Sequence, residues 1–248
     1  MTGATPREAA STGAAGEQGA ARWVRDMFGR VAPRYDLLNH LLSFNLDKLW
    51  RRRTVDRVAE ILTQPDARVL DLCCGTGDLL LRMRARGRCT VLGSDFCHPM
   101  LIEARRKIAR QDFRAPLLEA DALSLPFARD SLDLVTMAFG FRNLANYERG
   151  LIEVHRVLKP GGVFALLEFS QPTNRAFAAV YGFFSTRVLP RIGGLISGSP
   201  DAYAYLPESI RKFPGAEELA EGMRRTGFSR VEFERMTGGA VALHRGWK

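Results

Sequence analysis

What the sequence lacks narrows its chemistry first. Its four cysteines, Cys73, Cys74, Cys89 and Cys97, show no C-x-x-C spacing, so neither a zinc site nor a disulfide framework is expected and no metal is assigned. No secretory leader is read ahead of them, and a reducing cytoplasm is the expected setting. No apolar run reaches the roughly 20 uninterrupted residues of a membrane span. The longest candidate, 176–196, is broken by Arg187, Pro190, Arg191 and the pair Gly193 and Gly194. Internal repeats are missing. Large apolar side chains are almost missing from residues 1–20, which therefore read as a disordered tail.

What is present fits one α/β domain. A chain of 248 residues, 46% of them hydrophobic, can bury a full core. Basic residues outnumber acidic ones by 36 to 27, a net charge of +9, which favours anionic partners such as lipid headgroups, nucleic acid or an anionic cofactor. From Trp23 to about Leu62 apolar positions recur at helical spacing, interrupted at Pro33, and predict a helical cap over 21–64. After Pro65 the period changes. Residues 68–73 form a compact apolar run that ends in Gly75-Thr76-Gly77, and Asp78 then opens a helix.

The alternation repeats, with strands at 89–95, 117–120, 132–137 and 163–169 and helices at 99–110 and 148–158. This order predicts a doubly wound, Rossmann-like and mostly parallel sheet covered on both faces, with ligands beyond the carboxyl ends of its strands. At the end, 230–236 and 240–244 flank Thr237-Gly-Gly239 and predict an antiparallel hairpin. The expected division is cap 21–64, binding core 65–170, a substrate or membrane flap 171–215, and a last helix with hairpin 216–248.

The segment Asp71-Leu-Cys-Cys-Gly75-Thr76-Gly77 lies between a strand and a helix, where glycines let a ligand approach the backbone. About 20 residues on, Asp95 stands where this architecture places a carboxylate that accepts from ribose hydroxyls. A dinucleotide fingerprint would need glycine where Leu80 stands, and the phosphate-loop pattern is missing.

Together with Glu119-Ala-Asp-Ala122 and Leu158-Lys-Pro-Gly-Gly162, these segments resemble the class I S-adenosylmethionine methyltransferases over roughly residues 66–170. The resemblance implies S-adenosyl-L-methionine as cofactor, with Gly75, Thr76 and Gly77 along its methionine part, Asp95 on the ribose, and Asp121 with Ala122 at the adenine. Asp71 would orient the loop, and 159–162 would be a structural turn.

Further strings are similar to one branch, the C-methyltransferases of menaquinone and ubiquinone biosynthesis. They include Met27-Phe-Gly-Arg-Val-Ala-Pro-Arg-Tyr-Asp36, Phe139-Gly-Phe-Arg-Asn143, Leu167-Glu-Phe-Ser170, Tyr205-Leu-Pro-Glu-Ser-Ile210 and Gly239-Ala-Val-Ala-Leu-His-Arg-Gly-Trp247, so the match runs nearly from Trp23 to Lys248. One departure is Ala138, where some members carry a serine close to the cofactor. The resemblance implies methyl transfer to a ring carbon of a polyprenylated quinol, most simply demethylmenaquinol, with the benzoquinol step of ubiquinone synthesis as an additional substrate.

Arg142, Asn143 and Tyr35 are expected to line the acceptor pocket, the guanidinium stabilising a phenolate or holding a water. The alternative is that Arg142 pairs with an acid and Asn143 caps the next helix. Tyr203, Tyr205 and Ser209 face either the substrate or ordinary core. Of the four histidines, His98, His155 and His244 suit structural roles, and His40, in the cap, is the candidate base. The stretch 175–199 interleaves aromatics with arginines and reads as a flap over the prenyl chain or on an anionic membrane, or else as core helix plus homodimer contact. Arg51, Arg52 and Arg53 read as a solvated helix face, and a nucleic-acid partner is not expected. The rival readings are a silent cofactor-binding scaffold of a quinone-biosynthesis complex and a methyltransferase acting on nucleic acid.

Overall fold

The structure, a computed structural model, describes residues 14–173, 182 and 200–248. The cap consists of helices α1 (Ala14–Val31), α2 (Tyr35–Leu42), α3 (Leu46–Arg57) and α4 (Ala59–Leu62), with a 3-10 turn carrying Pro33 between the first two. Strands β1 (Val69–Leu72), β2 (Val91–Asp95), β3 (Leu117–Glu119), β4 (Leu132–Ala138) and β5 (Leu158–Phe169) alternate with helices α5 (Asp78–Arg86), α6 (His98–Ile108) and α7 (Tyr147–Val157). Helices α8 (Pro200–Lys212) and α9 (Ala216–Arg225) precede strands β6 (Arg230–Met236) and β7 (Val241–Trp247).

The seven strands run in the order β3-β2-β1-β4-β5-β7-β6. The first five are parallel; β7 runs antiparallel to both β5 and β6. Alternate side chains serve opposite faces, as a pleated strand requires. Val69, Leu134, Ala165 and Leu167 pack with Trp50, Leu80 and Met83 of α3 and α5. Leu70, Val135, Phe164 and Leu166 pack with Leu151, Val154 and Met223 of α7 and α9. Strand order reverses between β1 and β4, so their carboxyl ends open a crevice where such sheets bind ligands.

The 159–162 turn is structural, as expected. Lys159 Nζ holds both carboxylate oxygens of Asp133 at 2.7 and 2.8 Å, and the Gly161 and Gly162 backbones bond Lys248. The chain enters β5 already at Leu158, with a register shift between Leu132 and Leu134.

The disordered tail is corrected from residue 14 onward, where α1 begins. Ala20, Val24, Met27 and Val31 form a buried stripe at helical spacing, and Glu17 accepts from Asn146 Nδ2 at 3.1 Å and pairs with Arg149 at 3.0 Å. Alanine is both the best helix former and small enough to pack closely, so a shortage of large apolar residues understated this segment. The stretch 175–199 lies outside the described residues apart from Gly182. Among the described residues no helix is long and apolar enough to cross a membrane.

Candidate active site

After Leu72 the chain must leave β1 and enter α5 within a few residues, and it does so through left-handed backbone at Cys73 (φ 53°), Gly75 (φ 55°) and Gly77 (φ 88°). A Cβ on Gly75 would meet nothing within 4 Å. There the glycine serves the backbone conformation and leaves space for a ligand. The Gly75 N–H donates to Asp95 Oδ2 at 2.8 Å, and the Cys97 N–H to Asp95 Oδ1 at 2.9 Å. Asp95 therefore joins the turns that follow β1 and β2. Burial pushes its carboxyl up to about 6, against the pull of backbone N–H groups from Cys97, Gly75 and Phe96.

Gly75, Asp95, Asp121 and Ala122 line one cleft, with about 730 Å³ of empty volume. Asp121 Oδ1 accepts from Leu123 N–H at 2.9 Å, which fixes the turn after β3. Each Asp95 oxygen keeps a lone pair beyond its backbone bond, so ribose hydroxyls remain compatible with it. Asp71 is buried next to the cleft and lines a smaller neighbouring pocket: Oδ1 accepts from the Thr136 hydroxyl at 2.8 Å, whereas buried Oδ2 has no hydrogen-bond partner. Burial raises its carboxyl to about 7.

Tyr35 and Asn143 line the same cleft, Tyr35 packing with Phe96 beside the turn after β2. Asn143 does not cap α7; Asn146 does, accepting from Arg149 N–H at 3.0 Å. Instead, Asn143 Oδ1 accepts from the Tyr205 hydroxyl at 3.1 Å, and the Tyr205 ring meets Trp23 of α1 edge-on. Ser209 is turned to Leu206 O of its own helix, and the Tyr203 side chain lies outside the described residues.

Arg142 is corrected: it stands behind the wall of the cleft. Its side chain is 5% exposed, with Nη1 bonding Glu168 Oε1 at 3.0 Å and the Phe139 carbonyl at 2.5 Å and the guanidinium lying over the Phe169 ring. Glu168 is buried too, and leaving either charge unpaired there would cost several kcal/mol (~3–5). Arg142 still acts on the cleft by charge, opposing the rise that burial imposes on the Tyr35 phenol.

The Thr76 hydroxyl, expected along the cofactor, is engaged elsewhere. It donates to Asp36 Oδ1 at 2.5 Å, while Lys107 Nζ reaches Asp36 at 2.5 Å, Asp78 at 2.6 Å and Thr76 Oγ1 at 3.1 Å. Helix α2 is thus clamped to the glycine turn. Next to the clamp, His40 Nδ1 bonds Asp47 Oδ2 at 2.8 Å and Nε2 stands 3.8 Å from Asp78. Among the described residues these three are the group closest to a metal-ligand set, but Arg51 and Lys107 already match the two carboxylates. His98 pairs with exposed Glu119, His155 bonds Gly227 O, and His244 bonds Ala216 O; desolvation lowers His244 to about 4 against the raising effect of that bond.

Sequence reasoning missed Asp36, Lys107 and Glu168, and it misread Arg51, which is buried at 6% exposure. Of its neighbours, Arg52 is exposed and Arg53 binds Glu234. The i, i+4 spacing of Asp47 and Arg51 was the available signal.

Known proteins resemble this chain. The family model described as the ubiE/COQ5 methyltransferase family matches residues 15–248. The chain belongs to that family. It is an S-adenosyl-L-methionine-dependent C-methyltransferase, and the silent-scaffold reading falls away. The demethylmenaquinone methyltransferase of Thermus thermophilus is 51% identical over 89% of this chain and 99% of its own. The ubiquinone/menaquinone biosynthesis C-methyltransferase UbiE of Syntrophotalea carbinolica is 45% identical over 90% and 92%. A solved S-adenosylmethionine-dependent methyltransferase of Thermotoga maritima, titled a possible histamine N-methyltransferase, superposes with a TM-score of 0.64 at 19% identity, covering 90% of this chain and 98% of that one. At that identity it speaks for the fold alone.

Proposed function

We propose that this methyltransferase methylates a ring carbon of a polyprenylated naphthoquinol, converting demethylmenaquinol to menaquinol. The observation that carries this reading is one cleft with two kinds of lining: Asp95, Gly75 and Asp121, which suit the cofactor, and the apolar and aromatic Phe28, Tyr35 and Phe139 with Asn143, which add two polar groups. A quinol needs both: apolar faces for its rings and a few placed hydrogen bonds for its oxygens. The relatives' names favour a naphthoquinol.

The cofactor, when bound, supplies an electrophilic methyl group on sulfonium sulfur. The quinol ring carbon would take that methyl, the donor leaving as the neutral thioether and the proton on that carbon passing to solvent as the ring regains aromaticity. Release of the neighbouring hydroxyl proton makes the carbon nucleophilic. Asn143, oriented by Tyr205, is placed to hold a quinol oxygen; Tyr35 fixes the second, and the buried Arg142 charge favours the phenolate through space. The test is mass spectrometry of quinones from cells lacking the protein. A quinone one CH2 lighter should accumulate and disappear on complementation, but persist with Asn143→Ala; an unchanged quinone pool would sink the reading.

We also infer that the protein works against an anionic bilayer, where such a substrate resides. Four of the six exposed large apolar side chains among the described residues cluster on α2, α3 and their link: Leu37 (61%), Leu41 (49%), Phe44 and Leu49 (58%). Arg30, Lys48 and Arg52 are exposed nearby, so an apolar corner carries basic company, which suits an anionic interface. Tyr35 of the cleft belongs to the same helix. Co-sedimentation with phosphatidylglycerol vesicles should occur and be lost in Leu41→Glu/Leu49→Glu. No binding by the intact protein, or a concentration-dependent mass abolished by that variant, would overturn the bilayer and assign the corner to a second copy.

A further inference from the structure

Beside the main cleft lies a smaller pocket that shares Tyr35, Cys73, Gly75 and Ala138 with it and extends to Arg51 and Asp71. It sits under the glycine turn and has about 330 Å³ of empty volume. Among the described residues that line the two pockets, Arg51 is the one cation. Its place is built. Asp47, one helical turn earlier, holds Nη1 at 2.5 Å, and the Phe139 ring lies 5.4 Å from the guanidinium carbon. The side chain is 8% exposed.

A guanidinium offers a rigid fork of N–H donors, and it matches a carboxylate two bonds at a time. Asp47 takes one of Arg51's donors, and no other hydrogen-bond acceptor for it occurs among the described residues. The other cation near the turn, Lys107, is already bound to Asp36, Asp78 and Thr76. The pocket therefore holds one fixed positive charge with donors to spare. Two carboxylates line the same pocket: Asp78, already matched by Lys107, and Asp71, one of whose buried oxygens has no hydrogen-bond partner. A cation and an acid set in one small pocket next to a methyl-donor cleft match the two ends of a free α-amino acid.

We propose that Arg51 binds the α-carboxylate of the methionyl end of S-adenosyl-L-methionine. Arg51 thus fixes the far end of the donor while Asp95 and Asp121 lie along the cleft toward the nucleoside. The inference rests on the cofactor and stands whichever quinol is methylated.

The test compares two ligands in calorimetric or fluorescence binding, without turnover: S-adenosylmethionine and its decarboxylated analogue, which lacks that carboxylate alone. The native protein should bind the decarboxylated ligand about tenfold to a hundredfold more weakly, the size of a charge-assisted hydrogen-bonded pair. Arg51→Gln should weaken S-adenosylmethionine by a similar factor and leave the decarboxylated ligand within about twofold, since the lost partner is already missing. Arg51→Lys keeps the charge that Asp47 requires and should show the same selective loss, only smaller. Equal affinity of the native protein for both ligands would overturn the assignment with no variant needed. So would a variant that loses both ligands equally, which is what a merely structural arginine would do.

Discussion

Arg142 and Glu168 form a buried ion pair, Nη1 to Oε1 at 3.0 Å, directly behind the aromatic wall of the cleft. Glu168 also accepts the backbone N–H groups of Arg142 and Phe169. One carboxylate thereby ties the loop after β4 to the end of β5, and the loop that it ties carries Phe139 and Asn143.

Removing one partner is therefore expected to cost stability as well as activity. Glu168→Ala leaves the guanidinium buried and unpaired and should lower unfolding free energy by about 3–5 kcal/mol. Arg142→Met leaves the Glu168 carboxylate buried without its cation and should cost a similar amount, while turnover falls and cofactor affinity stays within about twofold. Denaturant unfolding read beside equilibrium cofactor binding checks both. Full turnover in Arg142→Met would remove the residue from the mechanism.

Asp95 gives a pH prediction with a definite sign. Its carboxyl, raised by burial to about 6 in the free protein, must be ionised to accept from ribose hydroxyls. Affinity for S-adenosylhomocysteine should rise with pH up to about 6 and level off above it, with binding near pH 5 about tenfold weaker. Because the folded value lies above that of an unfolded aspartate, the free protein binds more protons folded than unfolded. This group therefore costs stability as pH rises from about 4 to about 6. Calorimetric titration across pH checks the first effect; a profile that keeps its slope in Asp95→Asn would exclude this carboxylate as its source.

The clamp on α2 predicts a local effect. In Lys107→Met, Asp36 and Asp78 lose their shared cation and Thr76 a donor. Amide hydrogen exchange should accelerate across 32–45 well before global unfolding, and the sheet should keep its protection. Uniform loss of protection would mean that the clamp supports the whole fold and not the cap.

The β–α alternation of the core, the hairpin and the glycine turn were legible because each leaves a local signature: an apolar run of fixed length, a change of period, glycines where the backbone turns left-handed. Gly75, Asp95, Asp121 and Tyr35 follow from such signatures or from the family strings. Arg142, Glu168 and Lys107 do not, because their partners lie 26 residues away for the first pair and on a different helix for the third. No local pattern says whether an arginine after a strand faces a cleft or turns back to a buried acid. Arg51 was hidden by its neighbours: in a run of three arginines charge dominates the reading, although α-helical geometry turns only one of them inward beside Asp47.

Gly140 offers a sharper test of how the two loops at the switch point are coupled. A Cβ there would stand 2.5 Å from the Cys73 Cβ, and both residues line the cleft. Its own backbone, at φ −107°, is ordinary, so Gly140→Ala perturbs packing and not conformation. The collision falls on a turn residue held at φ 53°, so it should displace the glycine turn and lower both stability, by about 1–3 kcal/mol, and cofactor affinity. Cys73→Gly removes the colliding carbon and suits the left-handed backbone better than cysteine does. The double variant should therefore recover most of the lost affinity, a coupling that a double-mutant cycle measures directly. Additive losses would show that Gly140 matters for some reason other than its approach to Cys73.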